Sequence, residues 1–68
     1  MATVQVLLKP DGRKLEVEAK DVRELLGKLG IREGYVLVID TTSSFLLTPD
    51  ERLSEGQRLE LRRVISGG

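Results

Sequence analysis

Side chains that commonly perform catalysis are scarce in this sequence. It contains no Cys and no His, which removes the thiolate nucleophile, the commonest general base and the commonest metal ligand. Four carboxylates, at Asp11, Asp21, Asp40 and Asp50, are too scattered for a metal cage, and most of them stand at turn or capping positions. We therefore expect no catalytic side chain, no metal site and no bound cofactor.

The remaining candidates for chemistry lie at the end of the sequence, Val64-Ile65-Ser66-Gly67-Gly68. Two terminal glycines arise by chance in about 0.5% of chains. Gly67 and Gly68 have no Cβ, so their backbone can approach another surface closely and adopt conformations closed to other residues. Ser66 is small as well. These residues can therefore be a functional tail that enters another protein. Alternatively, they are a frayed end or a cloning scar.

Composition limits the partners of such a chain. Its 68 residues make one small domain. The 11 basic and 11 acidic residues cancel, and Tyr35 and Phe45 are the only aromatic residues, which argues against direct nucleic-acid binding. No apolar run is long enough to span a bilayer, and the first residues lack the pattern of a signal peptide. We expect a soluble, cytoplasmic monomer, and the missing Asn and 32% charged residues indicate a thermophilic source.

The first half of the sequence predicts a hairpin followed by a helix. Val4, Val6 and Leu8 alternate with other residues, and Leu15, Val17 and Ala19 do so after the turn Lys9-Pro10-Asp11-Gly12. The period then changes, because Val22, Leu25, Leu26 and Leu29 form one stripe of a helix. Asp21 is its expected N-cap, Glu24 can complete a capping box, and Gly30 provides the end. Gly27 inside the helix either permits close packing or is simply tolerated.

The second half predicts three strands. The apolar run from Tyr35 to Ile39 indicates a central strand, covered on both faces or partly so. Residues 45–47 suggest a short return strand, and residues 48–51 a helical or 3₁₀ turn that Leu53 anchors to the core. Ser54-Glu55-Gly56 reverses the chain before a last strand with Leu59 and Leu61 inward. The order predicts an α+β fold, a mixed sheet of four to five strands with a helix on one face.

A helix with one apolar stripe leaves the other sheet face to solvent or to a partner. Leu7 and one side of the 35–39 run belong to that face, although an unbroken apolar run does not reveal which side. Val64 and Ile65 either complete the core or dock on a partner. Arg62 and Arg63 either steer a partner with acidic groups or form a solvated strand edge.

The whole chain resembles the ubiquitin-like sulfur carriers of β-grasp fold. The residues that match are Leu46-Leu47-Thr48-Pro49-Asp50, the turn Leu53-Ser54-Glu55-Gly56, Leu59-Glu60-Leu61, and the closing Val64-Ile65-Ser66-Gly67-Gly68. The family includes the small subunit of molybdopterin synthase, the thiamine-pathway carrier, the tRNA 2-thiolation carriers and the ubiquitin-related modifiers. The resemblance implies a β-grasp domain over residues 1–64 and a flexible Gly-Gly tail over residues 65–68.

The resemblance also implies a function in which this chain is a substrate and not an enzyme. A ubiquitin-activating-type enzyme consumes ATP to adenylate the Gly68 carboxylate, and residues 64–67 are recognised as the tail enters that enzyme. A sulfur donor then converts the adenylate into a thiocarboxylate, which passes its sulfur to an acceptor enzyme of tRNA thiolation or of molybdopterin or thiamine synthesis. The ending looks most like that of the tRNA-thiolation carriers and small archaeal modifiers.

Two other functions stay open. In a protein modifier, the activated Gly68 is captured by a lysine amine of a target protein as an isopeptide. In an inert β-grasp module, the glycines are incidental. Because the carrier and the modifier share the same adenylate, the sequence does not separate them.

Overall fold

The computed structural model describes residues 1–9 and 11–64 and has an α+β fold. Within those residues, five strands and one helix follow in the order that the sequence predicts. The bounds are Ala2–Lys9 for β1, Arg13–Ala19 for β2, Val22–Leu29 for α1, Val36–Asp40 for β3, Phe45–Leu47 for β4 and Arg58–Arg63 for β5.

The predicted hairpin is formed by β1 and β2. Val4 lies opposite Val17 and Val6 opposite Leu15, so the alternating apolar residues of both strands point to the same side. Gly12 closes the connection with a φ of +75°, and its N–H donates to the carbonyl of Leu8 at 2.6 Å. Pro10 of the predicted turn lies outside the described residues.

Helix α1 is capped at both ends. Asp21 accepts a hydrogen bond from the Glu24 N–H at 2.8 Å, as an N-cap does. The Glu24 carboxylate bonds the N–H of Lys20, at 2.8 Å, in place of the Asp21 N–H that a capping box would use. At the other end Gly30 has a φ of +71°, which places it in the left-handed region that ends many helices.

The strand order in the sheet is β2-β1-β5-β3-β4, with β1 and β5 parallel and the other neighbours antiparallel. The middle strand of the sheet is therefore β5. β3 is an interior strand between β5 and β4, as the apolar run at residues 35–39 predicts. β3 is covered on one face only: Val36 and Val38 are buried, whereas Leu37 is 43% exposed. The apolar run is unbroken because apolar residues also occupy its outward positions.

The connection from β4 to β5 contains the single turn that the sequence predicts, with the three-residue spacing of a 3₁₀ turn. Thr48 and Glu51 close one turn with a backbone hydrogen bond of 3.1 Å, and no helix is assigned there. The chain cannot continue to wind because it next pairs with the residues before α1, where the Leu53 N–H donates to the Lys20 carbonyl at 2.9 Å. Leu53 is buried, as predicted.

The core lies between α1 and one face of the sheet. It is entirely aliphatic, because the two aromatic side chains, Tyr35 and Phe45, are both exposed. The largest fully buried side chains come from the helix and from the two parallel strands, namely Leu25, Leu59, Leu61, Val4, Val6 and Val22.

The sheet face that points away from α1 carries the alternate residues of each strand, and we call it the open face. One row across it follows the register from edge to edge: Lys14, Leu7, Glu60, Ile39 and Leu46. Among the described residues, no helix or strand packs over this face.

Candidate tail and docking site

The residues expected to react or to be recognised in the tail, Ile65, Ser66, Gly67 and Gly68, lie outside the described residues. The structure describes the chain up to Val64, which follows the last residue of β5. The Val64 N–H donates to the Tyr35 carbonyl at 3.0 Å, and this continues the pairing of β5 with β3 by one step. Val64, the last described residue, therefore lies where these two neighbouring strands end, at one end of the sheet.

Val64 does not complete the core. Its residue surface is 41% exposed, so of the two interpretations open for Val64 the core is wrong. The alternation along β5, carried one residue further, puts Val64 on the same face as Arg62. Tyr35 stands on that face by the same rule, two residues before Leu37, and is 57% exposed.

These residues belong to an exposed apolar surface on the open face, which we call the open-face patch. Its members are Tyr35, Leu37, Ile39, Leu46 and Val64. Leu46 is 59% exposed and Ile39 is half-buried. Because single exposed apolar residues are normal but neighbouring ones are not, the patch is the strongest candidate here for contact with another protein.

Leu7 shares the open face with this patch but is not next to it. In the register, Glu60 of β5 lies between Leu7 and Ile39. Leu7 instead lines a shallow depression of about 430 Å³ near the other edge, together with Gln5, Lys14 and Arg58. The expected extension of the apolar surface to Leu7 is thus interrupted by a carboxylate.

Arg62 and Arg63 do not act from one surface, because adjacent strand residues point to opposite faces. Arg62 lies opposite Leu37 on the open face, and its guanidinium donates to the Glu60 carboxylate. Arg63 lies opposite Val36, on the side of the helix. Both arginines are exposed, and Arg62 borders the open-face patch.

Asp40 holds the turn that presents β4 to this patch. Its carboxylate accepts hydrogen bonds from the Gln57 side chain at 2.6 Å and from the N–H groups of Thr42 and Ser43 at 2.9 and 3.0 Å. These donors, Gln57 first, hold the pKa of Asp40 below its ordinary value. The turn includes Ser44, with a φ of +63°, a conformation that costs a non-glycine residue energy.

Because the chain has no Cys or His, acidic side chains are the remaining metal-ligand candidates among the described residues. No group of three or more acidic residues among positions 1–9 and 11–64 could hold a metal ion. The lowered pKa of Asp50 has a local cause, the hydroxyl of Thr48 at 2.6 Å.

Sequence reasoning did not identify Tyr35, Leu37 and Leu46 as members of a patch. The pairing of Ile39 with Glu60 in the structure fixes which residues of β3 face outward. Once β5 faces inward with Leu59 and Leu61, residues 35, 37 and 39 must face outward. The missing information was the register between β3 and β5.

Comparisons with known proteins add no identity: no protein-family model matches this chain, and no curated protein does. In the described residues, no helix is long and apolar enough to cross a membrane.

Proposed function

We propose that this protein is a ubiquitin-like β-grasp sulfur carrier, a substrate of partner enzymes rather than an enzyme. The observation that carries the proposal is the position of the tail: the strand at the centre of the sheet, β5, leads directly into Ile65-Ser66-Gly67-Gly68. The strand order β2-β1-β5-β3-β4, with parallel β1 and β5 beside a helix on one face, supports the β-grasp assignment.

The proposed reaction takes place at the Gly68 carboxylate. A carboxylate oxygen attacks the α-phosphorus of ATP held by a ubiquitin-activating-type enzyme, and pyrophosphate leaves. A sulfur nucleophile supplied by a partner attacks the carbonyl carbon of the acyl-adenylate, and AMP leaves. When that nucleophile is sulfide, the product is the thiocarboxylate itself. When it is a persulfide on the partner, a second thiol of the partner attacks the partner-side sulfur of the acyl disulfide and the S–S bond breaks. The partner then keeps a disulfide, and Gly68 keeps a thiocarboxylate that an acceptor enzyme uses as a nucleophile. This chain supplies the carboxylate and two glycines that enter a narrow site.

The open-face patch is the proposed docking surface for the activating enzyme. Tyr35, Leu37 and Val64 lie beside the point where the tail begins, so an enzyme that grips the tail is within reach of them. Arg62 at the border can meet a carboxylate on the enzyme and steer its approach. Leu7, at the depression, and Arg63, on the helix side, are further candidates that lie outside the open-face patch.

The destination of the sulfur is proposed as tRNA thiolation or the synthesis of molybdopterin or thiamine. If it is tRNA, the balance of 11 basic and 11 acidic residues means that the acceptor enzyme must hold the RNA. We propose a cytoplasmic protein, where ATP and these acceptors are found.

A protein modifier is the second candidate, because the same adenylate can be captured by a lysine amine. Mass spectrometry of the protein recovered from its own cell separates the two. A C-terminal thiocarboxylate supports the carrier, and a series of larger conjugates supports the modifier. If neither product is found, both functions are contradicted.

The direct test incubates the full chain with its adenylating enzyme, ATP and a sulfur source. We expect intact mass spectrometry to record one exchange of oxygen for sulfur, located at Gly68. A chain that lacks Gly67 and Gly68 should show no exchange, while its free energy of unfolding changes by less than about 0.5 kcal/mol. Absence of exchange in the full chain, with an enzyme active on another carrier, contradicts the proposal.

A further inference from the structure

β2 is an edge strand, and on its outer side the backbone N–H and C=O groups form no hydrogen bond with another described strand. The Gly56 N–H donates to the Thr3 carbonyl at 2.8 Å, so odd-numbered residues of β1 direct their backbone groups towards β5. Even-numbered residues of β1 therefore bond β2, and the register joins them to odd-numbered partners. The backbone N–H and C=O groups of Lys14, Glu16 and Glu18 consequently point outward in the plane of the sheet, away from β1.

One end of this edge is already occupied by the chain itself. The Lys28 ammonium donates to the outward carbonyl of Glu18 at 2.6 Å. The free part of the edge runs from Arg13 to Val17, and its midpoint is Leu15. The Leu15 side chain is half-buried at the border of the core, so another apolar side chain beside it would remove further apolar surface from water.

The charges on the free part of the edge are self-complementary in one register. If a second copy runs antiparallel about a two-fold axis at Leu15, Lys14 faces Glu16 of the second copy, and Glu16 faces its Lys14. Opposite charges in directly paired positions stabilise a sheet. Neither residue forms an ion pair with the part of the chain that the structure describes, so both are available.

The backbone geometry supports the same register. Lys14 and Glu16 are the residues whose N–H and C=O groups point outward, so each cross-copy pair would exchange both of its backbone hydrogen bonds. A shift that moves the axis to Glu16 would place two glutamates opposite each other. Its two Lys14–Glu18 pairs would also need the outward carbonyl of Glu18, which Lys28 already occupies. The midpoint of the free edge and the charge pattern thus select Leu15 independently.

We propose that the protein self-associates through antiparallel pairing of β2 with β2 of a second copy, about an axis at Leu15. A contact of about five residues on each side is smaller than a stable interface. The dimer is therefore reversible, with a dissociation constant on the order of 0.1–1 mM. It replaces the expectation of a strict monomer. Because β2 and β4 are opposite edges of the sheet, the pairing does not depend on the proposed function.

Sedimentation velocity of the full chain, at low salt and up to about 2 mM, tests this pairing. We expect concentration-dependent dimers. Lys14→Glu and Glu16→Lys, taken singly, should each weaken association at least about tenfold, because each creates two like-charge pairs. The double variant Lys14→Glu/Glu16→Lys should return the dissociation constant to within about threefold of the original, because the exchanged charges pair again.

Glu18→Lys is the matched control, since Glu18 lies outside the paired charges in this register. It should leave association unchanged, and circular dichroism should show all variants folded. A chain that stays monomeric at the highest concentration overturns the proposal. So do single variants that associate normally, a double variant that does not recover, and a Glu18→Lys variant that loses association.

Discussion

At the scale of the residue, Asp40 joins a local hydrogen-bond pattern to the surface proposed for docking. Its carboxylate accepts from the Gln57 side chain and from two N–H groups of the turn between β3 and β4. This turn determines where Leu46 of β4 lies on the open face. Because these donors prefer the charged carboxylate, they lower the pKa of Asp40 and couple folding to pH.

We predict that Asp40→Asn removes part of the acid sensitivity of the fold. The unfolded chain binds a proton at Asp40 near the ordinary pKa of about 3.9, and the folded chain does so only at lower pH. The contribution of Asp40 is therefore present above about pH 4 and is lost as the pH falls through the folded-state pKa.

Urea unfolding at a series of pH values measures this effect. The slope of unfolding free energy against pH should be smaller for Asp40→Asn below about pH 4. Asp11→Asn is the matched control, since the Asp11 carboxylate accepts no hydrogen bond from the described residues. Equal slopes in Asp40→Asn and the original protein would contradict the coupling.

At the scale of the element, the sequence was sufficient where one side of an element is polar. The alternation in β2 and the stripe of α1 predicted both elements, because each has one face in water. The run at residues 35–39 gave no such contrast, and its register comes from pairing with β5, which is distant in sequence. Residues 48–51 form the single turn that their composition predicts, but the pairing of Leu53 with Lys20 that follows joins residues distant in sequence and was not predictable.

The candidate site divides along the same line. The sequence predicted an uncovered sheet face and a place for Leu7 on it, because a helix with one apolar stripe covers one side. Tyr35, Leu37 and Leu46 could not be assigned without the register, and the separation of Leu7 from them by Glu60 needs the strand order. The expected roles of Ile65 to Gly68 stay predictions.

Two glycines, one inside α1 and one directly after it, make a matched pair for testing helix energetics. Nothing lies within 4 Å of a Cβ built at Gly27 or at Gly30, but Gly30 has a φ of +71°. Gly27 is thus tolerated in the helix and is not a close contact. We predict that Gly27→Ala raises the free energy of unfolding by about 0.5–1 kcal/mol, whereas Gly30→Ala lowers it by about 1 kcal/mol.

Thermal unfolding monitored by circular dichroism distinguishes the two substitutions. A change of 1 kcal/mol shifts the midpoint of a domain of this size by about 4–8 °C, so the two variants should move in opposite directions. A lower midpoint for Gly27→Ala would mean that the space beside Gly27 is needed, contrary to the structure.

At the scale of the whole molecule, the two faces of the sheet carry different kinds of side chain. The helix side holds the buried aliphatic side chains, and the open side holds charges, the depression and the open-face patch. β5 contributes to both, because Leu59 and Leu61 face the helix while Arg58, Glu60 and Arg62 face outward. The middle strand β5 therefore contributes to the core and also precedes residues 65–68 in the sequence. On the proposed function, a partner can bind the open face without disturbing the core.

The neighbours Leu37 and Val38 test this division within one strand. Leu37 is 43% exposed in the open-face patch, and Val38 is 3% exposed in the core. We predict that Val38→Asp unfolds the domain, because it buries a carboxylate without a partner. Leu37→Asp should stay folded and, on the proposed function, weaken adenylation at least tenfold, equivalent to about 1.4 kcal/mol of partner binding.

Circular dichroism reports folding, and ATP–pyrophosphate exchange with the activating enzyme reports adenylation. Ser54→Asp is the control for added charge, because Ser54 is exposed and precedes β5, at the end of that strand away from Val64 and the patch; it should leave both signals unchanged. Unfolding of Leu37→Asp would show that the outward side of β3 is part of the core. If Leu37→Asp is folded and fully adenylated, the enzyme does not dock on the patch, and the depression beside Leu7 becomes the surface to test.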